Sequence, residues 1–216
     1  MKSARPMRLF SCLALALLAA CSALPDKPMR PVSYDFGSGV QALSPAAGSW
    51  LPPIALADID TTGLADTAAI TYRLQYADAQ QLRPYAMARW ALPPAQLVRQ
   101  RMRERLGTRR PVLDADDLLS QKRFEGSLPR ILRLQLEEFS QVFASPGQSE
   151  GVVRLRATLV DNTAQGESLV GQRVFVMRRP ASTADAPGGV RALTLATDAA
   201  IEEVEAWLAR LAPVAR

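Results

Sequence analysis

Apolar and polar side chains alternate along much of the chain, and the stretches where they do so predict strands. Ile54, Leu56 and Asp58 share one face of a segment whose other face carries Ala55, Ala57 and Ile59, a strand buried on both sides. Ile70, Tyr72, Leu74 and Tyr76 alternate with Thr71, Arg73 and Gln75, which predicts a half-buried strand. Leu132, Leu134 and Leu136 face a core while Arg133, Gln135 and Glu137 face out, and Phe139 and Phe143 continue this strand past a bulge. Val153, Leu155, Ala157 and Leu159 form the next strand, which turns across Asp161 to Gly166 and returns over Val170 to Met177. That pair predicts an antiparallel hairpin with a loop longer than the tightest type. Shorter signals add a strand at Val32 to Phe36 closed by Gly37, and another over Arg83 to Trp90. Pro84 bars the latter from a central position at that point.

Helical spacing replaces alternation twice. Pro93 and Pro94 suit the start of a helix over Ala95 to Leu106, buried through Leu97, Val98, Met102 and Leu106 and stopped by Gly107. After a loop of small residues from Pro180 to Gly189, a longer helix carries Leu193, Ala196, Ala200, Ile201, Val204, Trp207, Leu208 and Leu211 on one stripe, with Glu202, Glu203 and Glu205 toward solvent. The stretch from Leu119 to Leu128 reads as loop with a turn of helix. The expected architecture is of the α/β (α+β) class: one mixed, largely antiparallel sheet with two main helices packed against it.

The first residues follow a different logic. Lys2, Arg5 and Arg8 precede an apolar run from Leu9 to Leu18, too short at about 1.5 Å per residue to cross a hydrocarbon core of about 30 Å. The run ends in Leu18-Ala19-Ala20-Cys21, which resembles the bacterial lipobox; the alternative is an ordinary secretory signal with Cys21 incidental. On the lipobox reading residues 1–20 are a removed signal peptide, Cys21 carries the lipid, residues 21–31 with Pro25, Pro28 and Pro31 form a flexible tether, and residues 32–216 form a single periplasmic domain.

Composition narrows the chemistry. The chain has no histidine and two cysteines, of which Cys12 leaves with the leader and Cys21 is acylated, so imidazole bases, His-ligated metals and thiol catalysis are not expected. Removing three of the 26 basic side chains with the leader leaves near balance against 21 acidic ones, so nucleic acid is not an expected partner. Asp114-Ala115-Asp116-Asp117 lacks the glycine and distal glutamate of a calcium loop and reads as turn and cap chemistry. No catalytic residue, metal or cofactor is assigned, and the chain is not expected to be an enzyme. Arg99, Arg101, Arg103 and Arg105 on the first helix read either as a basic patch for head groups or an acidic partner, or as a solvated face. Tyr85 and Trp90 read either as contact residues or as packing. Trp50, in a proline-rich loop, has fewer apolar neighbours and is the better exposed candidate.

The lipobox, Tyr34-Asp35-Phe36-Gly37, Tyr85 and Trp90-Ala91 before Pro93-Pro94, the strand ending in Glu138-Phe139, and Val190-Arg191-Ala192 opening a helix that contains Trp207-Leu208 occur in an order that resembles the ABC-type transport auxiliary lipoproteins, the PqiC-like family. Phe36 departs from the aliphatic residue expected there. The resemblance implies a lipoprotein that works with a permease, an ATPase and an MCE-domain protein to move phospholipid or another hydrophobic molecule across the envelope. It implies a lipid-anchored place in the outer membrane, from Ser22 after the cysteine, with the domain docking the MCE protein. Trp50, Tyr85, Trp90, Arg99 and Arg103 are the partner-binding candidates, and association with further copies of the chain stays open. The alternatives are a stand-alone lipid- or ligand-binding lipoprotein and a membrane-anchored hydrolase.

Overall fold

A computed structural model describes residues 30–38, 51–61, 63–115, 128–163 and 166–211, all but Arg30 within the compact unit Pro31–Arg216. Cys21, Trp50 and most of the stretch from Leu119 to Leu128 lie outside the described residues. The strands are β1 (Val32–Tyr34), β2 (Ile54–Thr61), β3 (Ala69–Leu74), β4 (Leu82–Trp90), β5 (Val112–Asp114), β6 (Arg130–Ser145), β7 (Gln148–Thr163) and β8 (Gly166–Pro180). The helices are α1 (Pro94–Gly107) and α2 (Ala186–Arg210), and a short 3-10 turn occupies Gly63–Asp66.

All eight strands join one mixed sheet, as expected, with β6 as its spine. Along one edge β6 pairs antiparallel with β7 over nearly its whole length, and β7 pairs antiparallel with β8. The other edge of β6 is shared by two shorter strands, both parallel to it: β2 opposite Arg130 to Leu136, and β3 opposite Gln141 to Phe143. β5 then extends the sheet beyond β2, while β4 and β1 extend it beyond β3. β1 pairs only with Ala88 to Trp90, so among the described residues the edge of β4 beside Pro84 opposite to β3 is open, consistent with a residue that cannot donate to a second ladder.

Both helices cover the same face. The core joins Leu132, Leu134, Leu136 and Phe139 of β6 and Val153, Leu155, Ala157 and Leu159 of β7 to the predicted helix stripes, among them Val98, Met102, Leu106, Ile201, Val204 and Trp207. A smaller cluster of Ala55, Ile131 and Val160 lies apart from this core.

Three expectations need correction. Ile59 belongs with Ile54 and Leu56 in the main core, because a register shift between Leu56 and Ile59 inverts the alternation there, leaving Asp58 exposed. The β7–β8 hairpin is tight: Thr163 pairs with Gly166, since the polar residues Asp161 and Asn162 remain in the ladder opposite Ser168 and Glu167. α2 starts at Ala186 and absorbs Gly188 and Gly189, which the sequence suggested were loop. Asp185 caps it by accepting from the Gly188 N–H at 2.8 Å, with Pro187 in the first turn. Glycine is needed because a Cβ on Gly189 would lie 2.1 Å from Gln141 Oε1.

Candidate partner-binding surface

The N-terminal motif folds into the core as a plug. The Asp35 carboxylate accepts from the Gly37 N–H at 2.8 Å, Gly37 takes φ 71°, and the Ala91 N–H donates to the Tyr34 carbonyl at 2.7 Å. This turn drives the Phe36 ring inward, where it meets Trp90 edge-on at 5.6 Å and Phe139 at 6.2 Å. Trp90 is 1% exposed, so its two readings resolve in favour of packing and it presents no contact surface. Phe36, the departure from the expected aliphatic residue, is a ring of this aromatic cluster.

Arg101 closes the plug. Both readings of the α1 arginines, basic patch and solvated face, leave it exposed, yet it is buried, donating to the Phe36 carbonyl at 2.6 Å with its guanidinium 5.9 Å from the Phe36 ring centroid. Its Nε lies 3.3 Å from Asp198 on α2, an approach without hydrogen-bond alignment. Burial pushes the Asp198 carboxyl above its ordinary range, against the opposing charges of Arg101 and Arg105. Beside this cluster a groove of about 140 Å³ runs between Asp35 to Gly37, Ala91, Leu92 and the Leu97, Gln100, Arg101 and Glu104 side of α1.

The remaining arginines of α1 are matched by carboxylates of the same domain. Arg99 pairs with Asp58 at 3.0 Å and Asp114 at 2.5 Å, and Arg103 pairs with the same Asp114 and donates to the Val112 carbonyl at 3.3 Å. Arg105 meets Glu202 and, just past the helix, Arg109 meets Glu205, tying α1 to the acidic side of α2. The basic patch that one of the two readings allowed is charge-compensated, and Asp114 serves ion pairing as the last residue of β5. Each exposed pair contributes only about 0–1 kcal/mol, so the network orients α1 more than it stabilises it.

Tyr85 sits half-buried where β3, β4, β6 and α2 converge. Its hydroxyl donates to Gln141 Oε1 at 2.8 Å, Gln141 Nε2 donates to Ser149 Oγ at 2.8 Å, and the ring packs 4.6 Å from that of Tyr72. Burial, with Tyr72 and Asp185 adding to it, pushes the Tyr85 phenol well above its ordinary range, so it stays protonated. Its role is to satisfy buried Gln141 beneath the start of α2. Sequence reasoning missed Gln141 and the burial of Arg101 because a polar residue at a core position gives no periodic signal; the Asp185 and Pro187 pair was a readable helix start.

Away from the helix-packed core lie charged ladders. Glu137 binds Arg154 and Arg156 at 2.5 and 2.6 Å, bonds that hold its carboxyl below the ordinary range against partial burial. A groove of about 230 Å³ crosses four strands here, lined by Arg73, Glu138, Val142, Val152, Arg154, Val176 and Arg178 among others. Among the described residues no three Asp, Glu, His or Cys side chains come together as a metal site, and no helix is long and apolar enough to cross a membrane.

Comparison with solved structures gives the fold. The chain is similar to protein XCC0632 from Xanthomonas campestris, at 19% identity and TM-score 0.60, covering 86% of this chain and 90% of that one. It is also similar to an uncharacterized protein at 11% identity and TM-score 0.56, covering 83% and 99% respectively. No curated protein sequence matches it. A family model for the ABC-type transport auxiliary lipoprotein component matches residues 34–205, from the motif that places Phe36 in the core to the last turns of α2. The chain belongs to the ABC-type transport auxiliary lipoprotein family.

Proposed function

We propose that the chain is a non-catalytic lipoprotein subunit of an ABC-type transporter, anchored in the outer membrane through Cys21, whose folded domain docks the periplasmic end of an MCE-domain partner. The transporter would move phospholipid or another hydrophobic molecule. The observation that supports this reading best is the family match across nearly all of the sheet and both helices.

The test is co-expression of the full chain with a permease, an ATPase and an MCE-domain protein from the same source, followed by purification through the MCE protein. The lipoprotein is expected in the complex, with an acylated Cys21 at its mature N-terminus by mass spectrometry. Cys21→Ser should abolish acylation while leaving the domain able to bind in detergent. Absence of association between purified wild-type proteins at tens of micromolar, where even weak specific complexes populate, would overturn the docking role.

A further inference from the structure

β8 is a long strand with one side left open: it pairs with β7 and with no other strand among the described residues. The Ala181 N–H donates to the Ser149 carbonyl at 2.9 Å, and this fixes the alternation. Odd-numbered residues from Gly171 to Arg179 turn their N–H and C=O toward β7. Gln172, Val174, Val176 and Arg178 turn theirs away from the sheet. Pro180 has its missing N–H on the open side, where it costs no ladder bond. The open run spans about 20 Å at roughly 3.4 Å per residue, enough for a short strand to add to it.

Chemistry selects the occupant. Arg173 and Arg179 have no carboxylate partner among the described ion pairs; Arg173 lies over the Phe175 ring at 5.1 Å, and Arg179 donates to the Arg178 carbonyl. The one acid of β8, Glu167, is held by two bonds from Arg133. The symmetric antiparallel pairing of two β8 strands centred on Val176, an exposed apolar residue of the open edge, would set Arg173 of one copy against Arg179 of the other, so like charges oppose a second copy in that register. An acidic strand meets no such opposition. Val176 is 45% exposed and borders the groove that also contains Val142, Val152 and Arg154. Apolar residues of an added strand, about 4.8 Å beyond β8, can lean over it.

We propose that the open edge of β8 captures, by strand addition, an extended segment of a partner protein in which acidic and apolar side chains alternate. The proposal rests on the reading of the chain as a docking subunit and names the surface and the chemistry of the contact. Main-chain bonds from Gln172 to Val176, with the Arg178 N–H, supply the attachment, while Arg173 and Arg179 supply the selection.

The test uses the full lipoprotein in detergent and two short synthetic peptides, one alternating valine with glutamate and one alternating valine with lysine. Each is N-methylated along one edge so that it cannot stack on itself. The glutamate peptide is expected to bind in a salt-sensitive way and to slow amide exchange at Val174 and Val176, leaving the already bonded Phe175 and Met177 unchanged. Val174→Pro removes one outward N–H without touching the β7 ladder and should weaken binding at least tenfold. The exposed double change Arg173→Glu with Arg179→Glu should reverse the preference toward the lysine peptide. Unchanged binding in Val174→Pro, or no protection at Val174 and Val176, overturns the proposal. A concentration-dependent dimer of wild type that Val174→Pro dissolves also overturns it, by giving the edge to a second copy. If Val174→Pro still co-purifies with the transporter at wild-type yield, the docking role stands and β8 is not its contact. If the peptide binds as expected but wild type does not join the transporter, the edge stands and the docking role fails.

Discussion

Replacing Arg101 with methionine keeps the aliphatic bulk and removes a buried charge that holds three elements together. Four interactions are lost: a hydrogen bond at 2.6 Å to the Phe36 carbonyl, the approach to Asp198 at 3.3 Å, a longer ion pair with Glu104 at 4.0 Å, and the contact with the Phe36 ring. A hydrogen bond from a charged donor contributes about 1.5–3 kcal/mol, and a partly desolvated cation over a ring about 1 kcal/mol. Breaking a buried pair costs about 3–5 kcal/mol in general. Because the Asp198 side chain is 32% exposed, the low end applies, and the expected loss is about 3 kcal/mol near neutral pH. The loss depends on pH with a definite sign. Asp198 already titrates above its ordinary range, and without Arg101 it rises further. A carboxyl raised in the folded state contributes stability below its unfolded value, about 3.9, and that contribution is lost as pH climbs through the folded value. The deficit of Arg101→Met should therefore be smallest in acid and widen toward neutrality. Urea denaturation followed by the fluorescence of buried Trp90 and Trp207, at pH 5 and pH 7, measures it. A variant within about 0.5 kcal/mol of wild type at pH 7, which is the range of ordinary surface substitutions, or one whose deficit grows on acidification, would refute the reasoning.

Gly189→Ala sets a methyl group against Gln141 Oε1 and should cost about 1–3 kcal/mol as α2 is pushed from the sheet, read as a lower midpoint of thermal unfolding. Ile201→Asp places a charge at a position that is 0% exposed and should cost several kcal/mol, comparable to the stability of many domains; a melt within a few degrees of wild type would contradict the packing of α2. The depressed carboxyl of Glu137 contributes stability above its unfolded pKa that is lost as pH falls through the folded value. Glu137→Gln should accordingly be less stable than wild type at pH 7 and converge with it in strong acid, by denaturation at matched ionic strength.

Strand and helix existence was readable wherever burial followed a single period. The stripe from Leu193 to Leu208 and the alternation through Leu132, Leu134 and Leu136 both reappear in the core. Direction was less readable, since alternation says which face is buried and not whether a neighbour runs parallel; the parallel seats of β2 and β3 on β6 follow from crossovers that span many residues. Boundaries failed where a small residue served packing inside a helix, as Gly188 and Gly189 do, or where residues of turn-forming type stayed in a ladder, as Asp161 and Asn162 do. Of the contact candidates, Trp90 followed the bulk of its ring into the core. Arg99 and Arg103 were legible as a cluster, but their neutralisation by Asp58 and Asp114 depends on strands that only the fold brings beside α1.

The sharing of one edge of β6 by β2 and β3 sets an order in time. In any synthesis that releases the chain from its N-terminus, β2 emerges long before the residues at Arg130 to Leu136 that complete its pairing. β3 and β4 can close on one another at once, and β6 to β8 with α2 make mostly local contacts, so these form early. β2 must wait as an apolar strand with both edges open until β5 and β6 follow. Its residues Ile54, Ala55 and Leu56 are therefore where a chaperone has most to shield during biogenesis, and where slowed elongation would expose the chain longest.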